Sequence, residues 1–111
     1  MGYRTRFELD LTNTQPEDKL DLRAILGTLR ETNEEAEYAL TEDGETENES
    51  KWYDHEKDLR AFSLDHPTVL FELSGMGEEQ PDLWKKYFLN GRVQKAPAKI
   101  SYDAFNPNAL R

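Results

Sequence analysis

Apolar and polar side chains alternate without a break from Tyr3 to Leu11. Because successive side chains of a β-strand point to opposite faces, this alternation predicts a strand with one buried face. Such a face needs neighbouring strands and a second layer to cover it. With 111 residues, of which 36% are hydrophobic, the chain has room for one core of this kind. The sequence therefore predicts a single domain over residues 1–105 and a tail over residues 106–111.

Two segments carry the apolar spacing of amphipathic helices. Leucine and isoleucine recur at helical intervals in the first segment, and a capping-box pattern that starts at Thr14 predicts a helix over residues 15–32. Gly27, inside this helix, is interpreted as the point where the helix closely approaches a sheet. The second segment starts at Trp52, has apolar residues at helical spacing and ends before Pro67. Both segments therefore predict helices with one face toward a core.

Three further strands are predicted in the second half of the chain. Residues 68–74 alternate like the first strand, and a glycine-containing turn over residues 75–82 ends that pattern. Asn90-Gly91 is the strongest short-range hairpin signal in the sequence. A two-residue turn at this site pairs Leu89 with Arg92, Phe88 with Val93 and Lys86 with Lys95. The alternative is that residues 83–88 begin as one helical turn.

The order of these elements predicts the fold class. Strands interleaved with two helices in one small unit predict an α+β fold, a two-layer sandwich with a mainly antiparallel sheet. Both helices are expected on one face of that sheet, as in ferredoxin-like folds. The predicted core consists of Phe7, Leu9, Ile25, Leu29, Leu40, Leu59, Phe62, Phe71, Leu73, Trp84 and Phe88.

The net charge of −9 comes entirely from residues 31–50, which we call the acidic segment. This segment has nine acidic residues and no basic one, whereas the rest of the chain has 14 of each sign. Asp43-Gly44 predicts a tight turn within it. Residues 37–51 are interpreted either as a hairpin with a polar edge strand or as a flexible loop. The nine acidic residues are Glu31, Glu34, Glu35, Glu37, Glu42, Asp43, Glu45, Glu47 and Glu49.

A neutral body that carries one concentrated anionic patch has a directional electric field. Such a patch repels nucleic acid and anionic lipid, so we expect a basic protein partner and neither direct nucleic-acid binding nor membrane binding. On an edge strand, alternate carboxylates of residues 45–49 would lie about 6.6–6.8 Å apart on one side, a regular array like the phosphates of a nucleic acid. The candidate partner-binding residues are Glu34, Glu35, Glu37, Glu42, Asp43, Glu45, Glu47, Glu49 and, as a hydrophobic anchor, Trp52.

Four motifs resemble those of small uncharacterised proteins of bacteria and their phages. They are a Trp-Tyr-x-His-Glu helix start at Trp52, a Pro-x-Val-Leu-Phe strand at Pro67, a Gly-x-Gly-Glu-Glu turn at Gly75 and an Asp-Leu-Trp-Lys-Lys-Tyr-Phe hairpin at Asp82. More loosely, the chain resembles the ferredoxin-like module of YubB-like proteins of plasmids and phages. The resemblance implies a ferredoxin-like fold and a mobile-element origin. It carries no known active site and does not include the acidic segment.

These observations support two functional hypotheses. The first is a non-enzymatic, phage-encoded inhibitor that mimics nucleic acid and occupies a basic site on a host CRISPR, restriction or repair protein. The second is an accessory module that self-associates, with the acidic segment of one chain against the basic hairpin of another, residues 85–99; it predicts a salt-sensitive homodimer. A third interpretation makes the acidic segment a solvated loop without a partner.

The residue types that carry most enzyme chemistry are few or absent. The chain has no cysteine, and neither His55 nor His66 has a second ligand at the spacing of a zinc motif. The pair Gly75 and Gly77 lacks the lysine and hydroxyl residue of a phosphate loop. We therefore expect no catalytic centre, no metal and no cofactor. The first residues lack the apolar run of a secretory signal, so we expect a cytoplasmic location in a bacterial host cell.

Overall fold

The computed structural model describes residues 4–77 and 83–97 of the chain. The predicted tail, residues 106–111, lies outside this range. The secondary structure elements are β1 (Thr5–Asn13), α1 (Leu22–Thr32), α2 (Glu34–Ala39), α3 (His55–Leu64), β2 (Val69–Gly77), β3 (Leu83–Leu89) and β4 (Arg92–Pro97).

The four strands form one antiparallel sheet in the order β1-β2-β3-β4. All three helices fall in the connection between β1 and β2. Helix α1 packs on β1, α3 packs on the other three strands, and α2 packs on α1. The predicted α+β fold with an antiparallel sheet is confirmed, and its narrower description as ferredoxin-like stays a prediction.

The hairpin of β3 and β4 has the predicted turn and register. Asn90 and Gly91 have φ angles of 48° and 78°, and positive values at both central positions are typical of the type I′ turn that fits the twist of the strands. The paired residues are Leu89 with Arg92, Phe88 with Val93 and Lys86 with Lys95. Because side chains alternate along a strand, Lys86 shares the inner face of the sheet with Phe88.

The inner face of the sheet and the facing sides of the helices form one core. Eight of the eleven predicted core residues are buried, and Ile25, Phe62 and Trp84 pack against them while partly exposed. The core also contains Trp52, which is 1% exposed. The buried apolar residues are Phe7, Leu9, Leu26, Leu29, Ala36, Ala39, Leu40, Trp52, Leu59, Val69, Phe71, Leu73 and Phe88.

The predicted start of the first helix is wrong. Helix α1 begins at Leu22, and its N-cap is Asp21, whose carboxylate accepts a hydrogen bond from the backbone N–H of Ala24 (3.1 Å). Thr14 does not cap a helix because its hydroxyl donates to the Thr68 carbonyl, 54 positions away (2.6 Å). Gly27 makes no close approach either, since a Cβ at this position would meet nothing within 4 Å.

The predicted hairpin at residues 37–51 is also wrong in its two arms. The first arm is helical, since residues 34–39 form α2, and Tyr38 is 56% exposed whereas Leu40 is buried. The second arm has only an isolated bridge from Thr46 to Leu40 and another from Ser50 to Thr5. The carboxylates of residues 45–49 are therefore not spaced along an edge strand. The predicted turn is present, with Gly44 at a φ of 85°.

Strand β2 continues through the segment predicted as a turn. Gly75 lies opposite Trp84 in the ladder, and a Cβ at Gly75 would lie 2.2 Å from the Trp84 ring. The glycine therefore allows the indole to lie flat against the strand, and it does not end the strand. The remaining residues of the predicted turn, 78–82, lie outside the described part of the chain.

Candidate functional site

The nine acidic side chains of the acidic segment are all exposed, and we call them together the acidic surface. They lie at the end of α1, on α2 and on the loop that follows α2. Asn33 separates the two helices, and its side chain accepts hydrogen bonds from the backbone N–H groups of Glu35 (3.0 Å) and Ala36 (3.1 Å). Because Ala36 and Ala39 are buried, the glutamates of α2 face outward.

The loop of residues 40–51 is tied to the rest of the domain by hydrogen bonds. Thr46 donates from its hydroxyl to the Phe7 carbonyl (2.7 Å), and Asn48 donates from its side chain to the Tyr38 carbonyl (2.9 Å). The Leu9 amide donates to the Gly44 carbonyl (2.8 Å). The acidic side chains of this loop therefore stand on backbone that is attached to β1 and α2.

Two carboxylates of the acidic surface have an ion-pair partner, and one has a shifted pKa. Among the described residues, its ion pairs are those of Arg23 with Glu42 (3.1 Å) and Asp43 (3.5 Å), and their exposure makes them weak. Partial burial, followed by repulsion from Asp58, Asp54 and Glu34, raises the pKa of Glu35. A basic partner would relieve this repulsion, because a nearby positive charge favours the ionised carboxylate.

Trp52 is not a partner-binding residue, because it is only 1% exposed. Its indole N–H donates to the Asp58 carboxylate (2.8 Å), and the same carboxylate oxygen accepts from the Asn33 side chain (3.0 Å). Asp58 of α3 therefore joins the Trp52 indole to Asn33, the residue that caps α2. The exposed aromatic residue of the acidic segment is Tyr38, which is 56% exposed.

One lysine of the basic hairpin lies on the inner face of the sheet and not on the exposed surface. Lys86 lies on the inner face, its side chain is 14% exposed, and it pairs with Glu56 (3.1 Å). Lys95 lies 3.5 Å from the other oxygen of the same carboxylate. Lys86 therefore adds little to the exposed surface of the basic hairpin, and Lys99 lies outside the described residues.

A second group of polar side chains surrounds His55, and the sequence pattern did not predict it. The His55 ring lies between the Trp52 carbonyl (2.7 Å from Nδ1) and the Lys86 ammonium (2.6 Å from Nε2). Because a carbonyl only accepts hydrogen bonds, Nδ1 carries the proton and Nε2 accepts from Lys86. The ring also stacks on Trp84, with centroids 5.1 Å apart and planes inclined by 13°.

The surroundings of these groups shift two pKa values. Burial lowers the pKa of His55 and is the largest effect, and the positive charge of Lys86 lowers it further. The hydrogen bond to the Trp52 carbonyl and the charges of Glu56 and Asp58 act in the opposite direction. Burial alone would raise the pKa of Glu56, but the hydrogen bonds and charges of Lys86 and Lys95 together lower it. His55 is therefore neutral and Glu56 is ionised at pH 7.

The lowered pKa of His55 predicts that acid destabilises the protein. In the unfolded chain this histidine takes up its proton near the ordinary value of 6.5, whereas the folded protein takes it up only at lower pH. The contribution of His55 to the free energy of unfolding is therefore fully present above about pH 6.5. It decreases as the pH falls toward the pKa that His55 has in the folded protein. Urea unfolding of wild type at pH 7.5 and 5.5 should show this loss, and His55→Gln should show a smaller one.

The matched control is His66→Gln, which keeps His55 and should retain the pH dependence of wild type. An equal loss of stability on acidification in wild type and His55→Gln would contradict the assigned environment of His55.

Within the described part of the chain there is neither a group of metal ligands nor a membrane-spanning helix. No three histidine, aspartate or glutamate side chains within residues 4–77 and 83–97 are grouped so that they could hold a metal ion. No helix in these ranges is long and apolar enough to cross a membrane. Comparison of the chain with family models, with curated proteins and with solved structures found no match. The resemblance to YubB-like proteins, and the mobile-element origin that it implies, stay predictions.

Proposed function

We propose that this chain is a non-enzymatic binding protein whose acidic surface occupies a basic, nucleic-acid-binding site on another protein. The observation that supports this function is the concentration of nine exposed carboxylates within 20 consecutive residues of a chain that is otherwise neutral. A nucleic acid presents anions at comparably high density, so a protein surface built for phosphates attracts both. The resemblance to phage proteins supports the further proposal that the partner is a host CRISPR, restriction or repair protein in the bacterial cytoplasm.

The concentration of charge favours binding over a role in solubility alone. Spreading the same acidic residues over the surface would keep the protein in solution without the mutual repulsion of nine like charges within 20 residues. When a partner with basic side chains binds, its positive charges offset the repulsion between these carboxylates. The attraction acts over long distances and speeds association, and salt weakens it.

A shallow cleft in the acidic surface offers a place for a basic side chain. Its volume is about 410 Å³, and three of the side chains that line it are carboxylates. Tyr38 adds an exposed ring, which provides the apolar contact that charge alone lacks and that Trp52 cannot provide. Because the loop is already anchored to β1 and α2, little ordering is needed on binding. The cleft residues are Arg30, Glu34, Glu37, Tyr38, Glu47 and Asn48.

Affinity capture from bacterial lysate with two matched variants tests this function. The acidic-surface variant changes four charges within the surface: Glu42→Gln, Glu45→Gln, Glu47→Gln and Glu49→Gln. The control variant removes the same number of charges from exposed positions elsewhere: Glu8→Gln, Glu17→Gln, Asp18→Asn and Asp65→Asn.

Wild type and the control variant should recover the same partner, one that binds nucleic acid, and the acidic-surface variant should lose it. Recovery of that partner by all three proteins would overturn the role of the acidic surface. Recovery of partners that do not bind nucleic acid, or of a second copy of this chain alone, would overturn the mimicry and leave self-association.

A further inference from the structure

A small cavity opens beside His55, at the end of the acidic segment. Its volume is about 200 Å³, and it lies where the start of β1, the residues before α3 and β3 meet. Its apolar walls are the rings of Phe7, Trp52 and Trp84, and its polar side chains include Ser50, His55 and Lys86. Aromatic walls with a few polar groups are typical of sites for small organic molecules.

Ser50 brings an unused hydrogen-bonding group to this cavity. The residue is 5% exposed, and its backbone is held by two hydrogen bonds with Thr5 (2.8 and 2.9 Å). Among the described residues, its hydroxyl is the buried side-chain group without a hydrogen-bond partner. Buried polar groups in native proteins are nearly always paired, so an unpaired one at a cavity wall indicates a partner from outside the chain.

Lys86 brings to the cavity a positive charge whose N–H donors are only partly paired. An ammonium has three N–H donors, and His55 Nε2 and the Glu56 carboxylate accept two of them. The Glu56 carboxylate is also shared with Lys95. The Lys86 nitrogen lies 4.5 Å from the centre of the Trp84 ring, so the charge and the aromatic wall lie side by side.

We propose that this cavity binds a small organic carboxylate with a flat apolar body. The carboxylate would accept hydrogen bonds from the Ser50 hydroxyl and from the third N–H of Lys86, which are both otherwise unfilled. The body would pack among Phe7, Trp52 and Trp84. The volume lies below the roughly 300–1,000 Å³ of drug-sized sites, which limits the ligand to about the size of benzoate.

Benzoate is the probe for this site, and the chain carries its own reporters. The two tryptophans of the sequence both line the cavity, so the NMR signals of their indole N–H groups should shift together as benzoate is added. The shifts should saturate. Benzamide has the same ring without the charge and should bind at least about tenfold more weakly, as expected for the loss of a charge-assisted hydrogen bond.

Ser50→Ala separates a binding role of the hydroxyl from a structural one. The variant should unfold at the same or a higher urea concentration than wild type, because the hydroxyl has no partner in the protein. It should bind benzoate about tenfold more weakly, for the one lost hydrogen bond to a charged group. Ser74→Ala, on the outer face of the sheet, is the matched control and should bind benzoate as wild type does.

Three results would overturn the site. They are indole signals that do not shift at millimolar benzoate, equal binding of benzoate and benzamide, and unchanged benzoate binding by Ser50→Ala. The acidic-surface variant removes negative charge next to Ser50, so it should bind benzoate at least as well as wild type while it loses the proposed partner, and the two proposals can fail separately.

Discussion

Trp52→Ala is expected to lower the free energy of unfolding by about 3–5 kcal/mol, the usual cost of removing a large aromatic side chain from a core. The ring is 1% exposed and packs edge-on against Phe7, with centroids 5.5 Å apart. Its loss also leaves the Asp58 carboxylate with Asn33 alone of its two side-chain partners. The midpoint of urea unfolding, at an unchanged slope, measures the effect.

Two variants distinguish the buried role of Trp52 from a surface role. Trp52→Phe keeps most of the ring and removes the hydrogen bond to Asp58, so it should cost about 1.5–3 kcal/mol. Tyr38→Ala removes an aromatic side chain that is 56% exposed and should change stability by about 0.5 kcal/mol or less. If Trp52→Ala were as stable as Tyr38→Ala, Trp52 would not belong to the core.

Phe71→Ala is expected to have a comparable effect and to lower the free energy of unfolding by about 3–5 kcal/mol, because it removes a buried ring from an inner strand of the sheet. Phe71 is fully buried in β2, pairs with Leu11 and Phe88 in the ladder, and contacts Phe62 edge-on at 5.7 Å. Leu29→Ala removes a buried side chain of α1 and should cost about 2–5 kcal/mol. Thermal or urea unfolding measures both.

Met76→Ala is the matched control for Phe71→Ala, since Met76 lies on the same strand and is 45% exposed. It should remain within about 0.5 kcal/mol of wild type. Wild-type stability in both Phe71→Ala and Leu29→Ala would disprove the assigned core.

The strands could be predicted because their signals are local. Asn90-Gly91 determines both the turn type and the register of the hairpin, and alternation determines which face of β2 is buried. The start of α1 could not be predicted in this way. The local capping box at Thr14 competes with a hydrogen bond to Thr68, 54 positions away, and the distant contact prevails.

The short helix α2 was missed because two patterns overlap. Tyr38 and Leu40 alternate as in a strand, whereas Ala36 and Ala39 have helical spacing behind the capping residue Asn33. The alanines decide the outcome because they fit against α1 in the core, and the ring of Tyr38 then points outward.

The candidate sites were predicted unequally for a similar reason. Charge can be read from sequence, so the acidic residues were identified and the structure places all of them at the surface. Burial depends on tertiary contacts, so Trp52 was assigned to the wrong environment. Lys86 meets His55 from 31 positions away, although the predicted hairpin register already placed Lys86 on the inner face beside Phe88.

A competition experiment tests the proposed function most directly. Labelled nucleic acid is bound to the captured partner, and this protein is added at low and at high salt. We predict that wild type displaces the nucleic acid, that the acidic-surface variant does so far less effectively, and that salt weakens the displacement. A partner that holds the nucleic acid and this protein at the same time would contradict the claim that the acidic surface occupies a nucleic-acid-binding site.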